Sequence, residues 1–190
     1  MNSKRCAVID TALKLFSKHG YQGIGIDRIN DEAKVSKMTM YRYFATKEAL
    51  IEGVLIRRDE MFREGLNFSV AAVIGDSKAR IKAIFEWYQS WFESEDFYGC
   101  MFIKATEEFP NKESGIRRIS KDHKLFIKRL IEQILVDEKV DDADKLSRHI
   151  LIILEGLIVN ANIFSNTQCV EGSWEYVAEL IEHHVNKNHK

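Results

Sequence analysis

An all-α chain is what this sequence specifies, and three features say so. Proline occurs once, at Pro110, and glycine only ten times in 190 residues, so long stretches carry no breaker. Apolar residues recur at intervals of three and four along most of the chain, the period of a helix with one buried face. No stretch reads convincingly as a strand. With 45% hydrophobic and 30% charged residues, the chain has the balance of a globular protein, long enough for one sizeable core or a small domain plus a larger one.

Nine helices follow in order. Residues 3–19 place Val8, Ile9, Ala12, Leu13 and Phe16 on one stripe, and Gly20 suits the left-handed position after the helix. A short second helix, Ile26 to Ala33, faces Ile29 and Ala33 inward, and Gly25 is a tolerable cap. Lys34-Val35-Ser36 makes a tight connection, with Ser36 as the N-cap of a third helix over 37–44, held down by Met40 and Phe44. Thr46 caps a fourth helix that runs to about Phe68, with Leu50, Val54, Met61 and Phe62 inward and Glu48 near the positive end of its dipole. The fifth covers about 78–94, and the sixth runs from Tyr98 to Phe109, before Pro110. Ile116 to Ile134 make a long seventh, Asp142 to Phe164 an eighth, and Ser173 to about Asn186 a ninth.

The net charge of −1 hides an asymmetry. Residues 1–47 hold nine Lys/Arg and four Asp/Glu, a net +5, which leaves −6 for the remainder. A basic head on an acidic body suits a polyanionic partner for the head, although chance fluctuation in charge reads the same way. Cys6, Cys100 and Cys169 are odd in number, far apart and without CxxC spacing, which implies free thiols in a reducing cytoplasm. The opening MNSKRCAVIDTALKLF has no signal-peptide pattern. The apolar run Ile150 to Phe164 is interrupted by Glu155, Asn160 and Asn162 and is shorter than the roughly 20 residues a bilayer demands. A cytoplasmic chain with no membrane partner is expected.

The second and third helices have the length and turn of a DNA-reading pair, in which the second member packs one face and presents the other to the major groove. Val35, Met40 and Phe44 hold the third helix down. Lys37, Met38, Thr39, Arg42 and the hydroxyls of Tyr41 and Tyr43 are left near its outer side. Lys and Arg pair with phosphates or guanine edges, and Thr and Tyr donate to phosphates. Many helical hairpins share such a pattern.

From the first helix into the fourth the chain reads ALKLFSKHGYQGIGIDRINDEAKVSKMTMYRYFATKEALI, residues 12–51. The order and spacing of LFSKHGY, GIDRI, VSKMTMYRYF and TKEAL resemble the TetR family of bacterial transcription regulators. FYGCMFIKATEEFP, residues 97–110, resembles the GCxF-type segment that opens the sixth helix in one branch of that family. The resemblance implies a nine-helix TetR-like chain. Residues 1–47 would form a three-helix helix-turn-helix domain, and 48–190 a ligand-binding and dimerisation domain, with the helix 48–68 connecting them. It implies phosphate contacts by Thr39, Tyr41, Tyr43 and Lys47, and places Lys37, Met38 and Arg42 against base edges or nearby phosphates. Three positions depart from the family pattern. Ile24 stands where a hydroxyl residue is common, which takes away one usual phosphate contact. Lys34 stands where glycine is usual in the turn, which implies a strained backbone or a shifted turn. Asn30 stands where a small residue often follows GIDRI, and is expected to face solvent.

HILIILEGLIVNANIF in the eighth helix is apolar nearly all the way round, so more than one side needs a cover. A second subunit is one cover, and the interior of a monomer is the other. The resemblance favours a homodimer whose last two helices make a four-helix bundle, through Ile150, Leu154, Leu157, Ile158, Ala161, Trp174, Val177 and Ile181. Two heads then meet two half-sites on one face of the duplex. Aromatic residues crowd the fifth to seventh helices, and at helical spacing they read first as core. A pocket for a small organic effector is implied by the resemblance, with Phe85, Tyr88, Trp91, Phe92, Met101, Phe102 and Phe126 as candidate lining.

The residues offer no nucleophile–base pairing, phosphate-binding glycine loop or metal-ligand spacing, so neither enzyme chemistry nor a cofactor is expected. Cys100 reads as a packing cysteine, and His123, His149 and the His183-His184 pair form no metal cluster. The expected function is a repressor that binds a pseudo-palindromic double-stranded operator and leaves it when a small molecule shifts the spacing of the heads through the fourth helix. The alternative is a helical small-molecule carrier or enzyme with a vestigial DNA-binding head.

Overall fold

The structure is a computed structural model, and it describes residues 3–186. Among the described residues it is built of helices alone: α1 (Ser3–His19), α2 (Ile26–Ala33), α3 (Lys37–Tyr43), α4 (Lys47–Ala71), α5 (Ser77–Phe92), α6 (Met101–Glu108), α7 (Gly115–Asp137), α8 (Ala143–Phe164) and α9 (Gln168–Asn186). These pack into two compact units. The first contains the chain up to Phe62 together with Cys100–His123. The second contains Arg63–Gly99 and the chain from Lys124 onward. The first unit thus extends past residue 47 into α4 and includes α6.

Local chemistry sets most helix ends. The Thr46 hydroxyl accepts from the Ala49 amide at 3.1 Å, and the Asp76 carboxylate accepts from the Ala79 amide at 2.8 Å, so α4 and α5 start on side-chain caps. α6 begins at Met101, three residues later than Tyr98, because Gly99 is left-handed at φ +83° and breaks the helix there. α4 continues three residues beyond Phe68, and α9 starts at Gln168 rather than Ser173.

In the first unit α1, α2 and α3 pack on one another around Val8, Ala12, Phe16, Ile29 and Met40, each fully buried. Leu15 is buried where Leu13 is only half-buried, because the covered stripe of α1 runs through 8, 12, 15 and 16. Met61 of α4 is 41% exposed and so is not an inward residue. The buried stripe steps from Val54 through Phe62, Leu66 and Val70, which turns position 61 outward. Ile24 is a core residue at 1% exposure. Asn30 is buried rather than solvent-facing, because α2 packs against both α1 and α3. Its side-chain oxygen finds no hydrogen-bond donor among the described residues.

In the second unit α5, α8 and α9 pack on one another. The α8 helix is long and apolar enough, by length and composition, to cross a membrane, yet here it is a packing helix. The expected dimer residues Ile150, Leu154, Leu157, Ile158, Ala161, Trp174, Val177 and Ile181 are no more than 7% exposed within the single chain. They are already covered within the single chain. The cause is that α5 and the α8–α9 contact use this face; Phe85 of α5 meets Trp174 at 5.6 Å between ring centroids. What α8 and α9 leave outside is a different apolar set: Ile152, Val159, Ile163, Phe164 and Tyr176.

Candidate nucleic-acid interface

The α2–α3 pair is built around a left-handed turn. Lys34 sits at φ 53°, ψ 45°, where a Cβ crowds the following carbonyl. The resemblance allowed a strained backbone or a shifted turn, and the backbone strain is present. The Lys34 amide closes α2 through the carbonyls of Asn30 and Asp31, and Val35 donates to the Asn30 carbonyl at 3.0 Å.

Ser36 then caps α3. Its hydroxyl accepts from the Thr39 amide at 3.2 Å and lies 2.9 Å from the Thr39 hydroxyl. Met40 and Phe44 anchor the helix in the core of the unit. Phe44 fits because Gly53 of α4 carries no side chain: a Cβ there would stand 3.1 Å from the ring. The Arg5 guanidinium lies 5.2 Å from the centroid of the same ring.

With that face held down, Lys37, Met38, Tyr41 and Arg42 are exposed, whereas Thr39, Tyr43 and Lys47 are half-buried. Met38 is 83% exposed. The Lys37 ammonium lies 3.1 Å from the carboxylate of Asp27 on α2. The hydrogen bond to Asp27, with its charge, holds the lysine above its ordinary pKa, so it remains a cation. Arg42 donates to the Tyr43 hydroxyl at 3.3 Å and stacks over its ring at 5.2 Å. The surface is therefore cationic and hydroxyl-bearing, with one flexible apolar side chain between Lys37 and Arg42.

A second feature of this unit was not legible beforehand. Three α6 residues on one helical face bond to the end of α1 and the turn after it. The Tyr21 hydroxyl donates to the Met101 carbonyl at 2.9 Å, and Lys104 donates to the Ser17 carbonyl at 3.0 Å. The Glu108 carboxylate accepts from the amides of Tyr21 and Gln22. Burial pushes the Tyr21 hydroxyl far above its ordinary range and pulls the Lys104 ammonium below its own. The one available signal was the 101, 104, 108 spacing, which says nothing about a partner 80 to 87 positions earlier.

The candidate pocket residues divide between the units. Phe85, Tyr88, Trp91 and Phe92 of α5 lie in the second unit, where Trp91 stands 5.9 Å from Tyr88 and 5.6 Å from Phe92. Phe126 of α7 also belongs there, with the Arg63 guanidinium 4.2 Å from its ring centroid. Met101 and Phe102 belong to the first unit, where Phe102 stacks on buried His123 at 3.7 Å. His123 in turn shares a 2.8 Å hydrogen bond with Asp59. Two recesses in the second unit have other linings, one of them formed by Leu146, His149, Tyr176 and His184, the other by Ser77, Glu138, Ile181 and Val185 among others. Among the described residues, no group of three or more His, Cys, Asp or Glu is placed to hold a metal ion.

Residues 8–54 match the family of bacterial regulatory proteins, tetR family. The chain is 34% identical over 127 residues to the HTH-type transcriptional regulator YuxN of Bacillus subtilis, a match covering 63% of this chain and 43% of that protein. It spans less than half of YuxN accordingly. It is 24% identical over 171 residues to IcaR of Staphylococcus aureus, the HTH-type negative transcriptional regulator of the biofilm operon icaADBC, covering 87% of this chain and 88% of IcaR. In fold it is similar to a TetR-family transcriptional regulator from Streptomyces coelicolor, with a TM-score of 0.83 at 23% identity, over 97% of this chain and 95% of the other. The helix-turn-helix geometry and these likenesses lead to one conclusion: residues 8–54 are a segment of the tetR family type, carried on a chain with the fold of TetR-family regulators.

Proposed function

We propose that this chain is a cytoplasmic transcriptional repressor that binds a pseudo-palindromic operator as a homodimer and is released by a small organic ligand. The observation that carries the reading is the α3 surface: Met40 and Phe44 pin one face, which leaves Lys37, Met38, Tyr41 and Arg42 outward, within the segment that matches the family. Thr39, Tyr41, Tyr43 and Lys47 serve as phosphate contacts, with Lys37, Met38 and Arg42 at base edges or nearby phosphates. DNA binding belongs to residues 1–47, and effector binding and dimerisation to 48–190, a functional division that crosses the compact units.

The dimer face consists of the apolar residues α8 and α9 leave uncovered. Ile152, Gly156, Val159 and Ile163 recur at four, three and four, the spacing of a helix–helix seam. A Cβ at Gly156, or at Gly172 of α9, would meet nothing within 4 Å, so both helices offer open sites for close approach. The effector site draws on the aromatic residues of the second unit, namely Phe85, Tyr88, Trp91 and Phe92 of α5 with Phe126 of α7. IcaR, named as a negative regulator, supports repression as the sign.

Selection from a randomised duplex pool by the full chain, followed by footprinting, tests the reading. Two half-sites related by a twofold axis are expected, with affinity falling steeply as salt rises, because phosphate contacts release counterions. A pool that shows no enriched sequence ends it.

A further inference from the structure

We propose that Met38 is a specificity-determining residue that reads the 5-methyl group of a thymine in the major groove. The inference rests on the DNA-binding reading above and adds the chemistry of one contact.

Every other candidate base-reading group at the exposed end of α3 has a partner within the chain. Lys37 is paired with Asp27 at 3.1 Å, and Arg42 is held on Tyr43 by a hydrogen bond and by stacking. Each must leave or share that partner to reach a base. Met38 has none to give up: it is an apolar side chain 83% exposed on the second residue of the helix, a position fixed from below by Met40 and at its start by the Ser36 cap.

Tyr41, three residues on, is 48% exposed, so the two side chains share one face and make an apolar strip flanked by Lys37 and Arg42. The flanking cations suit phosphates on either side of a groove. The strip between them suits the one apolar group that a base pair displays in the major groove, the thymine methyl. A thioether on an unbranched stem is adaptable and polarisable, which fits a contact made by shape and dispersion rather than by directed hydrogen bonds.

The test uses the full chain and the sequence enriched in the selection. Each thymine of a half-site is replaced in turn by deoxyuridine, which removes the methyl and leaves the pairing intact. For the unsubstituted protein, one thymine per half-site should weaken binding on the order of five-fold when replaced, while the others change little. Met38→Ala should bind thymine and deoxyuridine duplexes alike, and Met38→Leu should retain the preference. Because the side chain is exposed, all three proteins should fold alike, and matching helical circular dichroism verifies this. The inference is overturned if no methyl matters to the unsubstituted protein, or if Met38→Ala keeps the same methyl dependence. A pool with no enriched sequence overturns the DNA-binding reading itself, and that failure is distinct from loss of methyl dependence on an enriched site.

Discussion

The Glu108 carboxylate accepts from the Tyr21 amide with both oxygens, each at 3.1 Å, and from the Gln22 amide at 2.7 Å. It thereby satisfies two backbone donors of the turn that follows α1. Gly20 makes the approach possible, because it is left-handed at φ +77° and a Cβ there would meet the carboxylate at 3.0 Å.

Glu108→Ala strands these amides in a half-buried turn. The expected cost is about 1–3 kcal/mol of folding stability, the usual penalty for donors that lose a charged acceptor. Urea unfolding measures it, and amide exchange at Tyr21 and Gln22 should accelerate together. An unchanged midpoint with unchanged exchange would show that the carboxylate contributes nothing.

Lys34→Gly should stabilise the chain. A left-handed lysine costs roughly 1–2 kcal/mol, and glycine adopts that region freely at a smaller entropic cost, for a net gain of about 0.5–1 kcal/mol. Thermal unfolding of the two proteins checks the sign. A loss of stability would mean that the lysine side chain contributes more than the strain it carries.

Asp27→Asn releases Lys37 and removes an anion from the surface proposed to face DNA. Binding should tighten on specific and non-specific duplexes alike, with the log–log salt dependence steeper by about one unit if the freed lysine takes a phosphate. Titrations at several salt concentrations measure both. Weaker binding would indicate that the Asp27–Lys37 pair positions α3 for recognition.

Leu154→Ala and Ile152→Glu separate core from interface on one helix. Leu154 is fully buried, so its truncation should cost about 2–5 kcal/mol in chemical denaturation. Ile152 is 66% exposed, so a glutamate there should leave the protomer folded and abolish the dimer in analytical ultracentrifugation. A dimer that survives Ile152→Glu would place the subunit contact elsewhere.

Much of the first unit was legible because its signals are local. Ser36 and Thr46 are caps whose effect is felt within three residues, and Met40 and Phe44 share a face because they are four apart. The strain at Lys34 is implied by the resemblance, since the family pattern has glycine where this chain has a left-handed lysine. Asn30 escaped for the opposite reason: its polarity argued for solvent, while its burial comes from two helices packing on the eight residues of α2.

By itself the sequence determined the helices, their order, and the surface that α3 presents, since each depends on periodicity and caps within a few residues. Only the tertiary structure decided which apolar face of α8 the chain covers for itself and which it leaves open. It also decided that Glu108 finds its donors 86 and 87 positions away. The physical reason is common to both. A helical period reports that a face is apolar or a carboxylate is present, but the element that covers the face or supplies the donors is chosen by packing at long range. On a helix apolar nearly all round, as α8 is, the period does not even single out the face.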